Sequence, residues 1–303
     1  MRDPVQKYFR VGLVSGMAYA PALKDLGWAG VVSAIAKDDY FDVVEVNPLP
    51  DDETRETVRR LAEMGHMRLC QNAHGRLLGT GLNPNDVDEA GRQAAERTLI
   101  EGVDEAVALG IDTMGMLAGR WTMETRDECL DQLEKTVVNV CRYAAEKGVF
   151  VELEVFDHDI AECALLGPAP LAARFAERVR GKVNNFGYMV DLSHFPMTYE
   201  TPAQVIPVLR PWITHFHIGN TVICDPAATA YGDEHPRFGF PGSENDVPQL
   251  AAFLRELKKN GFFNAAEPCT LTFEIKPWAG EDVDIVIANA KRTLNRAWAL
   301  VED

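Results

Sequence analysis

Phe186-Gly-Tyr-Met-Val-Asp-Leu-Ser-His-Phe-Pro196 is a short apolar run that ends abruptly in Asp191, Ser193 and His194 before a proline. Apolar residues in close succession are typical of a strand that is covered on both faces, as parallel strands usually are. The carboxylate and the imidazole would then lie at the carboxyl edge of this strand. In open parallel sheets and in (β/α)8 barrels, functional groups collect at that edge.

Three further stretches end in polar residues after a short hydrophobic lead, namely Val149-Phe-Val-Glu-Leu-Glu154, Ile213-Thr-His-Phe-His217 and Leu271-Thr-Phe-Glu274. Because side chains alternate along a strand, Glu152 shares a face with Glu154, and His215 shares a face with His217. Glu154 and His217 lie nearer the strand ends, so we expect them at the carboxyl edge. Glu152 and His215 are then expected in the interior beneath them.

The four stretches together predict a metal site made of Glu154, Asp191, His217 and Glu274. Three carboxylates and one imidazole suit a single divalent cation. Each residue alone also has a structural explanation, because an Asp-x-x-His sequence is commonly a cap or a turn and a strand glutamate is commonly part of an ion pair. Such residues at equivalent ends of separate strands favour the metal site.

The rest of the chain alternates apolar runs with amphipathic stretches and predicts eight strands that alternate strictly with eight helices. The clearest helix has apolar residues at three- and four-residue spacing, at Leu130, Leu133, Val137, Cys141 and Ala144. Strict alternation requires parallel strands joined by right-handed crossovers. We therefore predict an α/β fold in which residues 1–303 form one domain, a single (β/α)8 TIM barrel.

A doubly wound sheet is the alternative fold. The barrel is favoured because polar ends of strands five to eight converge on one ion more readily in a closed ring than in a flat sheet. No Gly-x-Gly-x-x-Gly follows the first predicted strand, which argues against a dinucleotide-binding fold.

Composition describes an ordinary globular protein, with 47% hydrophobic and 25% charged residues. The net charge of -16 argues against a nucleic-acid partner, because a nucleic-acid groove needs clustered Lys and Arg. The apolar runs are too short for a membrane span and the start lacks the layout of a signal peptide, so we expect a cytoplasmic protein with no membrane partner. The six cysteines are scattered without a Cys-x-x-Cys pair, which predicts free thiols rather than a thiolate zinc site.

The predicted metal site favours proton-transfer chemistry. Carboxylates held close together raise at least one carboxyl pKa, which leaves one glutamate able to carry a proton. A divalent cation polarises a carbonyl and holds an adjacent hydroxyl, so a neighbouring carboxylate could remove the proton from the carbon between them. The resulting enediolate would isomerise, epimerise or lose a β-leaving group, according to its next step.

Loops that follow the predicted strands supply candidates for substrate binding. The stretch Tyr231–Gly242 carries Asp233, His235 and Arg237, which could bind hydroxyls or stabilise enediolate charge. A salt-bridged surface loop is the structural alternative. Three more candidates for the pocket wall follow other strands: His158, Trp278 and His74. Ordinary packing is the stronger explanation for Trp278.

Five motifs carry a resemblance to a known family: Leu-Glu-Val around Glu154, Asp191-x-x-His194, His215-Phe-His217-Ile-Gly, Arg237 before a Gly-x-Pro-Gly turn, and Glu274-Ile-Lys-Pro-Trp278. They resemble the xylose isomerase-like barrel superfamily and, within it, the sugar isomerase and epimerase group that includes the ketose 3-epimerases. The resemblance implies that a divalent ion is held by Glu154, Asp191, His217 and Glu274. Manganese is the expected ion, with magnesium, cobalt or zinc as alternatives. It also implies an acid/base pair, Glu154 and Glu274, and two ligands of substrate oxygens, His194 and Arg237.

Two stretches depart from typical ketose epimerases: Phe156-Asp-His-Asp159 with the following Leu166-Gly-Pro168, and the loop Gly232-Asp-Glu-His-Pro-Arg-Phe-Gly239. Both are similar to the large subunit of C-glycoside-deglycosylating enzymes, which share this barrel and pair with a small second subunit. We therefore expect a divalent-metal-dependent sugar isomerase or epimerase. The alternative is a carbon-carbon or carbon-oxygen lyase that acts on a keto-sugar.

A nuclease and a non-catalytic sugar-binding protein are further hypotheses, and the acidic charge opposes the nuclease. The expected partner is a small sugar or sugar derivative, with the question of a phosphate group left open. A homo-oligomer is the default expectation for a soluble barrel, and the resemblance allows a small second subunit.

Overall fold

The computed structural model describes residues 1–302, in which eight parallel strands close into a barrel in sequence order. The strands are β1 Phe9–Val14, β2 Val43–Val46, β3 Arg68–Asn72, β4 Thr113–Leu117, β5 Phe150–Val155, β6 Phe186–Asp191, β7 Ile213–Gly219 and β8 Cys269–Glu274. β8 pairs with β1 and so closes the ring. The predicted (β/α)8 barrel is confirmed, and the doubly wound alternative is wrong because a closed ring has no edge strands.

Helices cover the outside of the barrel and its carboxyl-terminal mouth. They are α1 Ser15–Ala18, α2 Leu23–Ala36, α3 Asp52–Met64, α4 His74–Leu78, α5 Glu89–Ala108, α6 Arg126–Glu146, α7 Ala169–Arg180, α8 His194–Met197, α9 Pro202–Leu209, α10 Val247–Lys259 and α11 Val283–Ala299. Eight of them correspond to the predicted helices, and α1, α4 and α8 are additional short helices that follow β1, β3 and β6. About one turn is too short to show a 3.6-residue period, so the sequence pattern does not reveal them.

Side-chain turns start two of the short helices. The Asn72 side chain accepts a hydrogen bond from the backbone N–H of His74, and the Asp191 side chain accepts one from the backbone N–H of Ser193. Asn and Asp commonly fold the chain in this way two residues ahead of themselves. The turns hold His74 and His194 at the mouth of the barrel.

Aspartate caps and glycines mark the ends of several long helices. Asp51, Asp88 and Asp282 each accept a hydrogen bond from a backbone N–H in the first turn of α3, α5 and α11, which satisfies a donor that the helix leaves free. Gly110 and Gly148 follow α5 and α6 with φ values of 71° and 74°, a left-handed conformation that glycine adopts without steric cost.

The apolar stripe of α6 packs against the barrel as its spacing predicts. Leu133, Val137, Cys141 and Ala144 are fully buried, while Leu130 is partly buried near the start of the helix. The core therefore lies between the strands and the inner faces of the surrounding helices. Among residues 1–302, no helix combines the length and the apolar character needed to cross a membrane.

The strand register brings the polar strand ends to one level. Across β6 and β7, Asp191 pairs with His217, and across β7 and β8, Gly219 pairs with Glu274. Glu154 pairs with Met189 of β6, two residues before Asp191. The mouth at the carboxyl ends of the strands thus receives a polar side chain from each of β5 to β8.

Candidate metal centre

Four side chains meet at the carboxyl-terminal mouth of the barrel. One possible ligand atom from each of Glu154, Asp191, His217 and Glu274 lies within 4.8 Å of all the others, and all four residues are buried. We call this set the four-residue centre. The structure thus brings together the residues that the sequence pattern singles out, and their role as ligands stays a prediction.

Glu154 is the least satisfied member of the four-residue centre. Only 1% of this residue is exposed, yet neither carboxylate oxygen has a hydrogen-bond partner within residues 1–302. The nearest imidazole nitrogens, His74 Nδ1 and His217 Nδ1, each lie 3.4 Å away. These imidazoles lie within ion-pair distance but make no hydrogen bond to Glu154, so both oxygens keep free lone pairs that a bound cation would use. The donor set therefore fits a divalent ion that prefers oxygen ligands with one nitrogen.

The other carboxylates of the centre are held by specific partners. Asp191 accepts hydrogen bonds from the backbone N–H and the hydroxyl of Ser193, and burial raises the pKa of Asp191. Glu274 Oε2 accepts a hydrogen bond of 2.7 Å from His217 Nδ1. Burial opposes ionisation of Glu274, but the imidazoles of His235 and His217 outweigh it and lower the pKa of Glu274 to about 2.

Glu45 is a member of the site that the strand-end pattern misses. It lies in β2, is fully buried, and accepts a hydrogen bond of 3.0 Å from His217 Nε2 through its Oε2 atom. Burial raises the pKa of Glu45, but the His217 and His215 imidazoles more than offset it and lower the pKa. A carboxylate on the second nitrogen of a histidine fixes which nitrogen faces a metal, here Nδ1. The signal in the sequence is a glutamate inside the otherwise apolar strand Val43–Val46.

The His217 imidazole lies between carboxylates on both sides. Burial lowers the pKa of His217, but the carboxylates of Glu45, Glu274 and Glu154 outweigh it and raise the pKa well above the usual range. Without a cation, the ring therefore carries a proton on each nitrogen. Ligand atoms of Glu45, His215 and His217 also come within 4.8 Å of one another, as a second set beneath the four-residue centre.

A third set adjoins the centre on the side of the β7–α10 loop. Asp233 Oδ1 lies 3.0 Å from His194 Nε2 and 3.0 Å from His235 Nε2, and His194 Nδ1 donates to the carbonyl of Val155 at 2.8 Å. Ligand atoms of Asp191, His194 and His235 lie within 4.8 Å of one another. Two predicted substrate ligands, His194 and His235, are thus buried beside Asp191.

The charges in this third set reinforce each other. Burial lowers the pKa of His235, but the carboxylates of Glu274 and Asp233 outweigh it and raise the pKa to about 10. The same balance raises the pKa of His194 well above its usual range, mainly through Asp233. Burial opposes ionisation of Asp233, but the two imidazoles hold the pKa of Asp233 well below its usual range. Both nitrogens of His194 are already engaged, whereas His235 Nδ1 has no hydrogen-bond partner within residues 1–302 and can present a charged donor to a ligand oxygen.

The polar residues one step below the centre are hydrogen-bonded among themselves. Glu152 accepts a hydrogen bond of 2.8 Å from the Thr214 hydroxyl, and its second oxygen lies 3.2 Å from His215 Nδ1. His215 Nε2 lies 3.0 Å from the Thr272 hydroxyl. We call these residues the lower layer. The predicted placement of Glu152 and His215 beneath Glu154 and His217 matches this arrangement.

The remaining candidates lie at different distances from the centre. His74 is buried at the start of α4, 3.4 Å from Glu154, and its ring meets the edge of Phe156. His158 is partly buried near Tyr199. The proximity of His74 to Glu154 favours a place for it in the pocket wall.

Arg237 and Trp278 are held by partners outside the centre. Arg237 donates from Nε to Glu281 at 2.7 Å and from Nη1 to the carbonyl of Gly239 at 3.0 Å. Trp278 Nε1 donates to the carbonyl of Glu234 at 3.0 Å, and Lys276 lies over its ring. Both residues anchor the β7–α10 loop in this structure, and their role as substrate ligands stays a prediction.

The comparisons with known proteins agree with this architecture. The family model described as xylose isomerase-like TIM barrel matches residues 21–290, which is most of the chain. No curated protein matches the chain in sequence.

Solved structures of similar fold cover nearly the whole chain. D-psicose 3-epimerase with D-tagatose from Clostridium cellulolyticum H10 has a TM-score of 0.72 and 15% identity, covering 97% of this chain and 100% of that one. A xylose isomerase domain protein from Planctomyces limnophilus has a TM-score of 0.67 and 18% identity, covering 96% of each chain. The 3-keto-D-glucoside 4-epimerase from E. coli has a TM-score of 0.67 and 14% identity, covering 96% and 98%. Likeness at these identities shows the fold, and the family match over most of the residues shows that the chain belongs to the xylose isomerase-like TIM barrel family.

Proposed function

We propose that the chain is a metal-dependent sugar isomerase or epimerase that removes a proton from a carbon next to a sugar carbonyl. The observation that carries this proposal is the buried carboxylate of Glu154, which has no hydrogen-bond partner within residues 1–302 and lies among three other possible metal ligands. The similar structures include epimerases of ketoses and of a 3-keto-glucoside, which supports the same substrate class.

Glu154, Asp191, His217 and Glu274 are the residues that would hold the ion, with manganese expected and magnesium, cobalt or zinc as alternatives. When bound, a divalent ion supplies Lewis-acid polarisation of the carbonyl and a fixed position for the neighbouring hydroxyl. The three carboxylates among these residues favour a hard cation over a soft metal that prefers thiolate ligands. Glu45 would keep His217 Nδ1 turned toward the ion.

Glu154 and Glu274 are the proposed acid/base pair. They lie at the ends of β5 and β8, with β6 and β7 between them in the ring. Two carboxylates on different sides of the mouth can remove a proton from one face of a carbon and return one to the other face, which inverts the configuration. Return of the proton to the neighbouring carbon would instead isomerise the sugar.

His235 is proposed to bind a substrate oxygen through its free Nδ1, and His194 is proposed to bind one in exchange for its bond to Asp233. Both rings share Asp233 as a partner, which supports a charged, fixed orientation for each. Donors that are already oriented stabilise negative charge on an oxygen without reorganisation. His74 is proposed as a further part of the pocket wall because it lies 3.4 Å from Glu154.

Solvent exchange of a substrate proton tests this function. Purified protein loaded with manganese is incubated in deuterium oxide with a panel of ketoses and 3-keto-glucosides, and deuterium at the carbon next to the carbonyl is followed by NMR. We expect exchange with at least one class, and its loss in Glu154→Gln and Glu274→Gln. Product analysis in the same tubes distinguishes an epimer or isomer from the eliminated product that the lyase alternative requires.

Glu152→Gln is the matched control, because it makes the same chemical change two residues away in the same strand. It should retain exchange. Exchange that persists in Glu154→Gln, or that is absent with every substrate in metal-loaded protein, would contradict the proposed function. A homo-oligomeric state, a small second subunit and a cytoplasmic location stay predictions.

A further inference from the structure

A cavity of about 180 Å³ opens at the amino-terminal mouth of the barrel, below the lower layer. We call it the amino-terminal cavity. Glu152 and His215 of the lower layer line it, together with Arg10, Arg68 and Thr113, which lie at or near the starts of their strands. A single water needs only about 10–15 Å³ of such space. The cavity therefore has room for a small polyatomic ligand.

The strand register directs both arginines into the barrel interior. Arg10 pairs with Thr270, which lies two residues before Thr272 of the lower layer. Arg68 is paired in β2 at the position two residues before Glu45, which faces the interior. Because side chains two positions apart share a face of a strand, Arg10 and Arg68 point inward as well. Only β2 separates their strands, so the two long side chains reach the same space.

Two polar atoms in this cavity are buried without a partner. The Nε atom of Arg68 and the hydroxyl oxygen of Thr113 make no hydrogen bond within residues 1–302. The rest of each guanidinium group is anchored, because Arg68 Nη2 donates to Asp112 and Arg10 Nη1 donates to the carbonyl of Pro268 at 3.0 Å. Buried polar groups are nearly always hydrogen-bonded, so a free N–H here indicates an acceptor that comes from outside the chain.

The charges of the lining favour an anion as that acceptor. Two guanidinium groups face a single carboxylate, that of Glu152, whose oxygens are already engaged by the Thr214 hydroxyl and by His215 Nδ1. Cys70 and Cys269 also line the cavity, and burial raises the pKa of each thiol to about 12, so both are neutral. The excess of positive charge is local, because the chain as a whole has a net charge of -16.

We propose that the amino-terminal cavity binds a small oxyanion, a phosphate or a carboxylate, through the guanidinium groups of Arg10 and Arg68 and the hydroxyl of Thr113. Guanidinium groups bind such oxyanions through charge-assisted hydrogen bonds, which are about twice as strong as neutral ones. The bound anion accepts from the free Nε of Arg68 and so satisfies a donor that the fold leaves open. This site is independent of the proposed function, because no residue of the four-residue centre lines the cavity.

Isothermal titration calorimetry with inorganic phosphate and with acetate tests the inference. The full-length protein is first treated with a chelator, so that no metal at the four-residue centre binds the anion. We expect saturable binding of at least one anion with a Kd of about 1 mM or below, which a few charge-assisted hydrogen bonds supply. Arg68→Gln should weaken this binding by about 10- to 100-fold, and Thr113→Val by about 3- to 10-fold. The tighter of the two anions identifies the preferred oxyanion.

Arg296→Gln is the matched control, because Arg296 is exposed in the last turn of α11 and does not line the cavity. It removes the same charge and should bind the anion as the wild type does. Circular dichroism verifies that each variant is folded, and Arg68→Lys, which keeps the charge, should recover part of the affinity. If neither anion binds to the wild type, or if Arg68→Gln and Thr113→Val bind as tightly as the wild type, the inference is wrong. An equal loss in Arg296→Gln would show binding by overall charge and would also overturn it.

Discussion

Two groups of polar residues lie inside the barrel, two positions apart along the same strands, and they differ in how their hydrogen bonds are satisfied. In the lower layer, Glu152 bonds to Thr214 and faces His215, whose other nitrogen faces Thr272. In the four-residue centre above it, neither oxygen of Glu154 accepts a hydrogen bond within residues 1–302, and the nearest imidazole nitrogens lie 3.4 Å away. Hydrogen bonding is thus complete in the lower layer and incomplete in the four-residue centre.

This difference separates stability from function. A satisfied hydrogen-bond network, such as the lower layer with its exposed Thr214, links neighbouring strands and needs no ligand. A buried carboxylate that accepts no hydrogen bond destabilises the fold unless a ligand takes up its lone pairs. The centre therefore has the character of a site that a cation completes, and the lower layer has the character of a structural support.

Removal of one glutamate from the centre should have the largest effect. Glu154→Gln and Glu274→Gln each lose a proposed proton carrier and a charged ligand, so we expect turnover to fall by about 10²- to 10⁴-fold. Steady-state kinetics measures this fall in turnover, with a sugar that shows deuterium exchange in the wild type as the substrate. Equal turnover in the wild type and in both variants would contradict the assignment.

The carboxylate of Glu45 should control metal affinity without touching the ion. Glu45→Leu removes the acceptor from His217 Nε2, and we expect metal affinity to fall by about 10- to 100-fold. Glu45→Gln keeps an acceptor oxygen and should lose less. Competition with a chelator of known affinity measures both, and equal losses in the two variants would show that the hydrogen bond does not orient the ring.

Metal affinity should rise with pH. The carboxylates around His217 raise its pKa in the metal-free protein, so a proton occupies Nδ1 and must leave before a cation binds there. One released proton makes the apparent affinity rise by about tenfold per pH unit while the pH stays below that pKa. Titrations between pH 6 and 8 at constant ionic strength would check the sign, and a falling affinity would contradict it.

In the lower layer, a change of glutamate to glutamine should lower the stability of the protein and leave its turnover unchanged. Glu152→Gln weakens the contacts with Thr214 and His215, and we expect the free energy of unfolding to fall by about 1–3 kcal/mol. Turnover and metal affinity of the folded protein should stay close to the wild type. Urea denaturation measures the loss. An unchanged free energy of unfolding in Glu152→Gln would show that this layer does not stabilise the fold.

Much of this comparison can be predicted from the sequence. The abrupt ends of four hydrophobic runs identify Glu154, Asp191, His217 and Glu274, because parallel strands deliver their last residues to one face. The two-residue period of a strand separates Glu154 from Glu152 and His217 from His215. The order of strands and helices then predicts the closed ring.

The rest depends on contacts that no local pattern encodes. Glu45 meets His217 only because barrel closure brings β2 near β7, and the two residues are far apart in the chain. Asp233 joins His194 and His235 through the path of one loop, and Arg237 bonds to Glu281 through the path of another. The short helices α4 and α8 start from side-chain turns and are too brief to show a hydrophobic period.

Elemental analysis of metal content tests the central claim most directly. The wild type, Glu154→Gln and Glu152→Gln are purified, loaded with manganese and freed of excess metal in parallel. We predict about one equivalent of metal per chain in the wild type and in Glu152→Gln, with a clear loss in Glu154→Gln. Equal metal content in all three proteins, or none in the wild type, would contradict the claim that a cation completes the four-residue centre.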